Sequence, residues 1–255
     1  MKRVLLTLLL LPFLVSAQDY QEPLVFQNVM LSVMPGHTEA FEKAVAAHNK
    51  KFHPAGPYQA IVYSINSGKN AGKYMWNMGP LPWSALDGRP ASDDGHDGDW
   101  DANVVPHLTG DVDVNYWKFH PELSNFSKDF TLKNLSVFMV DVKRFKDMDF
   151  MNNVVKKVHE LYAKKMPDQI HGAYTNELGN EEGLDFAWVD FFDTMAWMGK
   201  EDKFPQYFEE VHGAGSFQKF LKDVEATTNG QKSELWSFRK DLSGTDGTVE
   251  AASRQ

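Results

Sequence analysis

The side chains best suited to chemistry in this chain are amides, indoles and imidazoles, and they come in pairs. Asn28 and Asn134 each sit in an early strand-like run of their half of the chain. Trp76 and Trp188 fall in later apolar runs, and Trp117 and Trp236 in the runs that close each half. His96 and His212 each precede a late helical stretch in the company of glycines. An amide turned toward an interior needs a partner. It could orient a substrate carbonyl or bound oxygen, or equally bond a neighbouring backbone group. An indole offers a flat apolar wall for an aromatic ligand, or else fills space between sheets. Imidazole titrates near neutrality and suits a general base or metal ligand, although a loop histidine beside glycine is ordinarily just solvated. Asn28, Asn134, His96 and His212 are therefore the candidates for catalysis. Trp76, Trp188, Trp117 and Trp236 are the candidates for ligand contact. His48 and His159 lie near helical stripes and read as satisfied boundary residues.

Other chemistries are excluded or unsupported. The chain has no cysteine, which rules out Fe–S clusters, thiolate ligation of haem and cysteine nucleophiles. No G-x-S-x-G, H-E-x-x-H, phosphate-loop or dinucleotide fingerprint is present. The acidic segment 93–101 places Asp97, Asp99 and Asp101 at alternate positions. Ala102 stands where a calcium loop needs glycine, however, and Leu108 where it needs its last glutamate. A solvated, helix-capping loop is the expectation there, so no metal site is assigned and the cofactor is left unknown.

Two copies of one unit would position these residues. Trp117-Lys118-Phe119-His120-Pro121-Glu122-Leu123-Ser124 returns as Trp236-Ser237-Phe238-Arg239-Lys240-Asp241-Leu242-Ser243, with Trp, Phe, Leu and Ser at the same offsets. Before each copy the periodicity gives strand, helix, strand, strand, helix, strand. In the first strand Val25, Gln27, Val29, Leu31 and Val33 alternate with Phe26, Asn28, Met30 and Ser32. The aliphatic set should meet helices and the mixed set a lined cavity or a second sheet. Thr38 is the expected cap of the first helix, whose stripe is Phe41, Ala44, Val45, His48 and Phe52. Asn28-Val29 aligns with Asn134-Leu135 and Trp76 with Trp188. The expectation is an α+β chain of two ferredoxin-like β-α-β-β-α-β repeats, 18–124 and 125–243. Their bare sheet faces would pack together into one barrel. Residues 244–255 are polar and expected to be disordered.

This arrangement resembles the dimeric α+β barrel superfamily, which includes antibiotic-biosynthesis-type monooxygenases. The strand-Pro-Gly-helix entry Val33-Met34-Pro35-Gly36-His37-Thr38-Glu39-Ala40-Phe41-Glu42 is similar to the entry common there. The resemblance implies two face-to-face sheets, here from one chain, around an internal ligand site. It implies binding, and oxidation or isomerisation, of a small apolar or aromatic molecule. The alternatives are a filled, non-catalytic barrel and a haem-binding or haem-degrading protein. The haem-degrading subgroup uses an Asn on the first strand, a Trp on the third and a His on the second helix. Asn28 with Trp76, and Asn134 with Trp188, stand in similar places. His96 and His212 depart from that pattern by preceding the helix.

Lys2 and Arg3 followed by an apolar run to Val15, then Val15-Ser16-Ala17, have the pattern of a secretory signal cut after Ala17 (1–17). The expected location is secreted or periplasmic, with no membrane attachment after cleavage. Removing Lys2 and Arg3 leaves 24 basic against 35 acidic side chains, a formal charge of −11. That disfavours nucleic acid as a partner. The expected partner is a small molecule, bound by a monomeric pseudo-dimer or a homodimer.

Overall fold

A computed structural model describes residues 22–89, 95–179 and 182–251. The expected signal segment, the acidic residues Asp93 and Asp94, part of the expected turn at 179–183, and 252–255 lie outside the described residues. Among the described residues no helix is long and apolar enough to cross a membrane.

The first half runs β1 (Leu24–Val33), α1 (Thr38–Phe52), β2 (Ala60–Ile65), β3 (Tyr74–Pro82), α2 (His96–Asn103) and β4 (Leu108–Phe119). After the short β5 (Phe130–Thr131) the second half repeats the order. It runs β6 (Asn134–Val142), α3 (Asp147–Phe150), a π-helical turn (Met151–Val155), α4 (Lys156–Lys165), β7 (His171–Asn176), β8 (Phe186–Phe192), α5 (Phe204–His212), α6 (Ser216–Thr227) and β9 (Thr228–Phe238). The eight long strands close into one barrel in the order β1-β3-β2-β9-β6-β8-β7-β4. Each half therefore keeps the ferredoxin-like strand order, and the halves join at two seams, β2–β9 and β4–β7. Closure removes the sheet edges that would otherwise expose unpaired backbone groups.

The repeated closing motif builds both seams. Phe119 lies opposite Tyr174 on β7, and Phe238 opposite Tyr63 on β2. Trp117 and Trp236 stand one pleat away on the same inner faces, against Asn176 and Ile65.

Strand alternation then separates two kinds of interior. Ile61, Tyr63, Met75, Leu135, Val137, Met139, Ala187 and Val189 point into the barrel. Val62, Trp76 and Met78 point outward under α1, whose Phe41 and Val45 are fully buried there. Val140, Phe186 and Trp188 do the same in the second half, beneath Val154, Val155, Leu161 and Phe208. Burying a side chain such as Phe41 stabilises the fold by about 1.5–3 kcal/mol. Helix α1 begins at Thr38 with His37, not Thr38, in the capping position and no side-chain capping bond.

The expectation of a disordered tail from residue 244 does not hold for its described part. Leu242 is buried under α1, and Ser243 Oγ accepts the Val62 N–H at 2.9 Å. Gly244 N donates to Ala60 O at 2.9 Å. A Cβ on Gly244 would lie 1.7 Å from His53 O, so only glycine lets the chain pass there. The short β10 (Thr248–Val249) pairs with β5. A polar segment is ordered here because its backbone groups find partners in strand edges left open nearby.

Candidate functional site

The barrel encloses a cavity of about 120 Å³. Its walls are mostly apolar, with Met75, Val137, Ala187 and the indoles of Trp117 and Trp236 among them. Amide groups form a band on one side. Register pairs Asn28 on β1 with Asn77 on β3 and with Asn115 on β4, so three amides stand in a row across neighbouring strands. Asn77 Nδ2 donates to Asn28 Oδ1 at 2.5 Å. Asn115 donates to Asp113 Oδ2 at 2.8 Å and accepts from Asn176 Nδ2 at 3.2 Å. Among the described residues no hydrogen bond engages the Asn28 Nδ2 donors, and they are not sealed from the cavity. At the other side Glu234, 4 % exposed, accepts from Asn70 Nδ2 at 2.8 Å and from Trp236 Nε1 at 2.9 Å. Lys232 pairs with Glu182 beside it.

Of the residues singled out in the sequence, Asn28, Trp117 and Trp236 line this cavity and the others do not. Asn134 opens β6 on the side away from the lumen. It accepts from Ser237 Oγ at 2.9 Å and donates to Asp193 O at 3.2 Å. The strand register explains the misplacement. Val29 faces Trp76, whereas Phe138 faces Trp188, so Asn28 corresponds to Val137 rather than to Asn134. Trp76 and Trp188 point outward beneath the helices and wall no part of the lumen. Their strands pair with β1 and β6 so that Asn77 and Val189 take the inward positions instead.

His96 is not in a loop but opens α2, where it meets His53 and His48. His48 is fully buried and is not a satisfied boundary residue, because its Nε2 has no partner; the same holds for His159 Nδ1. Burial pushes the His48 imidazole down, against the pull of Asp99, and pushes His53 down to about 4. His212 closes α5, its Nε2 donating to Lys157 O at 3.0 Å and its Nδ1 3.7 Å from Glu160. Neither His96 nor His212 reaches the lumen.

Sequence reasoning missed Asn77, Asn115, Glu234 and His53. For the lumen residues the missing signal was the inward parity of β3. Had Trp76 been read as facing α1, Asn77 would have followed as Asn28's partner. His53 sat in the expected helix terminus, where nothing marked it as pointing back at His48.

A resident haem, which a likeness to haem-handling barrels would imply, does not fit the lumen. No described histidine lines it, and 120 Å³ is well below the 300–1,000 Å³ typical of sites for larger ligands. Outside the lumen, His212 is engaged by Lys157 and Glu160.

No family model matches the chain, and no curated protein matches it. Solved structures do. A "putative monooxygenase" from Fusobacterium nucleatum superposes with a TM-score of 0.59 at 10% identity, over 91% of this chain and 98% of that one. An anthrone oxidase-like protein gives 0.54 at 11% identity, over 92% and 96%. A mutant chlorite dismutase from Candidatus Nitrospira defluvii gives 0.52 at 8% identity, over 86% and 92%. At such identities the likeness speaks for architecture alone. The chain has the dimeric α+β barrel fold, with both sheets supplied by one polypeptide.

Proposed function

We propose that this protein, exported by its leader, binds a small and mostly apolar molecule inside the barrel, and that the ligand carries one carbonyl or hydroxyl group. The observation that carries the reading is the inward row of Asn77, Asn28 and Asn115, whose Asn28 donors are open, in a mostly apolar cavity whose Glu234 and Lys232 are already paired. Such a row has no packing advantage over aliphatic residues. Its counterpart in the second half is Val189, Val137 and Glu234. The half-buried Asn28 amide has an open donor that a ligand acceptor in the lumen would engage.

Size narrows the class. A cavity of about 150 Å³ lined by aliphatic and aromatic side chains takes a benzene ring, and the lumen here is about 120 Å³. A single-ring compound or a short branched chain is the expected occupant. Asn28 Nδ2 would donate to its oxygen, and Trp117 and Trp236 would contact its apolar body. The likeness to a protein called a monooxygenase and to an anthrone oxidase-like protein agrees with an aromatic ligand. Oxidation or isomerisation of that ligand is the activity to assay.

Titration of the indole fluorescence with benzaldehyde and with benzene tests the reading. Asn28→Ala should weaken benzaldehyde binding about 5- to 30-fold, as expected for one hydrogen bond of 1–2 kcal/mol, and leave benzene binding nearly unchanged. Val137→Phe should block both ligands by filling the lumen. Equal affinity of wild type and Val137→Phe would contradict the proposal.

A further inference from the structure

The outer face of the first half carries a second arrangement, on the opposite side of β3 from the lumen. His48 lies on α1, His53 follows the last residue of α1, and His96 is the first residue of α2. Each ring is anchored through Nδ1. His48 Nδ1 is 2.8 Å from Asp99 Oδ2, His53 Nδ1 2.8 Å from Tyr58 O, and His96 Nδ1 2.8 Å from Asp97 Oδ1. All three partners are acceptors, two carboxylates and a backbone carbonyl. Each Nδ1 therefore carries the proton, and each Nε2 is left with a lone pair.

Those lone pairs converge. His53 Nε2 and His96 Nε2 face each other at 3.0 Å, and His48 Nε2 is buried with no hydrogen-bond partner. One ligand atom from each of the three lies within 4.8 Å of the others. A proton shared between His53 and His96 would relieve one contact and still leave His48 Nε2 unpaired. A cation at the centre satisfies all three nitrogens. Phe52, Trp76 and Trp100 pack around the rings and limit water access.

We infer that His48, His53 and His96 form a binding site for a divalent first-row transition metal, with zinc as the best match to three neutral imidazoles. Imidazole donors suit this group of ions, and three protein nitrogens plus one open position is a recurrent zinc arrangement. The acceptors at each Nδ1 are the outer partners that metal-bound histidines use to fix tautomer and orientation. Zinc–nitrogen bonds of about 2.0–2.1 Å put tetrahedral ligand nitrogens about 3.3 Å apart. With the three ligand atoms within 4.8 Å of one another, the widest pair must close by at most about 1.5 Å. A bound ion would clamp α2 onto the end of α1, next to the crossing of Gly244 over His53.

The test uses the untagged mature chain, stripped with chelator and titrated with ZnCl₂ by calorimetry, with CoCl₂ absorbance in parallel. The expected result is one equivalent of zinc and visible bands of tetrahedral Co²⁺ with nitrogen ligands. His96→Gln, at a side chain 16 % exposed and so tolerant of change, should lower zinc affinity at least about 100-fold while circular dichroism stays native. Asp99→Asn should lower it about 10- to 100-fold, the range for an outer partner. His37 and His107, whose Nδ1 atoms are 3.1 Å apart elsewhere on the first half, provide the control. The His37→Ala/His107→Ala double variant should bind zinc as the wild type does. Absence of a one-to-one site in the wild type would overturn the inference. So would unchanged affinity in a folded His96→Gln variant, or loss of binding in the control.

Discussion

The two halves share a fold and differ in what they bury beneath their helices. In the first half the polar groups come from the helices. His48, Asn49 and His53 approach an outer sheet face that offers Ala60, Val62, Trp76 and Met78. In the second half the strands supply polar groups too, facing His159 and Tyr162 of α4. His171 and Asp190 lie opposite each other in register, at the positions held by Ala60 and Met78 in the first. Trp76 Nε1 donates to Asn49 Oδ1 at 2.9 Å, and Asn49 Nδ2 to Leu242 O at 2.7 Å, so the first half is tied to the C-terminal segment. Trp188 stacks on His171 with centroids 4.4 Å apart and 12° between planes, and its Nε1 makes no hydrogen bond. One pocket aims lone pairs at a common point. The other holds a carboxyl group in apolar surroundings with only the Tyr162 hydroxyl, at 3.4 Å, near its Oδ2. The difference teaches that two halves of one barrel can keep the same register while polar groups sit in different layers.

The second pocket answers pH through two opposed groups. Burial pushes the Asp190 carboxyl up to about 7. Burial pushes His171 down to about 4. A raised carboxyl pKa means the unfolded chain ionises first, so Asp190 lowers stability as pH climbs from about 4 to about 7. A depressed imidazole pKa means the unfolded chain protonates first, so His171 lowers stability as pH falls from about 6.5 to about 4. Between pH 4 and 6.5 the two slopes oppose each other, and both groups are largely neutral in the fold.

The largest effect that would break this comparison is Asp190→Asn. It should raise unfolding free energy at pH 8 by up to about 4 kcal/mol, and by almost nothing at pH 4, in urea melts at the two pH values. Next is His171→Phe, which keeps a ring against Trp188. It should remove up to about 3 kcal/mol of acid destabilisation between pH 6.5 and 4, leaving stability that falls as pH rises. Unchanged pH slopes in either variant would mean the pocket is wetter than its burial indicates. The smallest contrast is between the indoles. Trp76→Phe should cost about 1 kcal/mol more than Trp188→Phe in the same melts, because only Trp76 has a hydrogen bond to lose and leaves the buried Asn49 oxygen unpaired.

Much of the architecture was legible in the sequence because periodicity and the repeated Trp-x-Phe motif report directly on faces and strand ends. The inward set of β1, with Phe26, Asn28 and Met30, followed from alternation alone. Functional pairing was less legible because it depends on register between strands, which is set by tertiary closure rather than by either strand. Asn134 looked like Asn28 in local sequence and lies three positions out of register with it. The histidine trio was hidden for a related reason. His53 and His96 are 43 residues apart, and only the packing of α2 on α1 brings their nitrogens to 3.0 Å. The order of residues 242–251 came from partners elsewhere in the chain, which composition cannot reveal.

The central claim is the ligand-binding lumen, and the most direct measurement is a crystal soaked with 4-bromobenzaldehyde and measured at the bromine edge. The account predicts an anomalous peak inside the barrel, in contact with Trp117 and Trp236, with the aldehyde oxygen within hydrogen-bond distance of Asn28 Nδ2. An empty lumen, with bromine only on the outer surface, would contradict it.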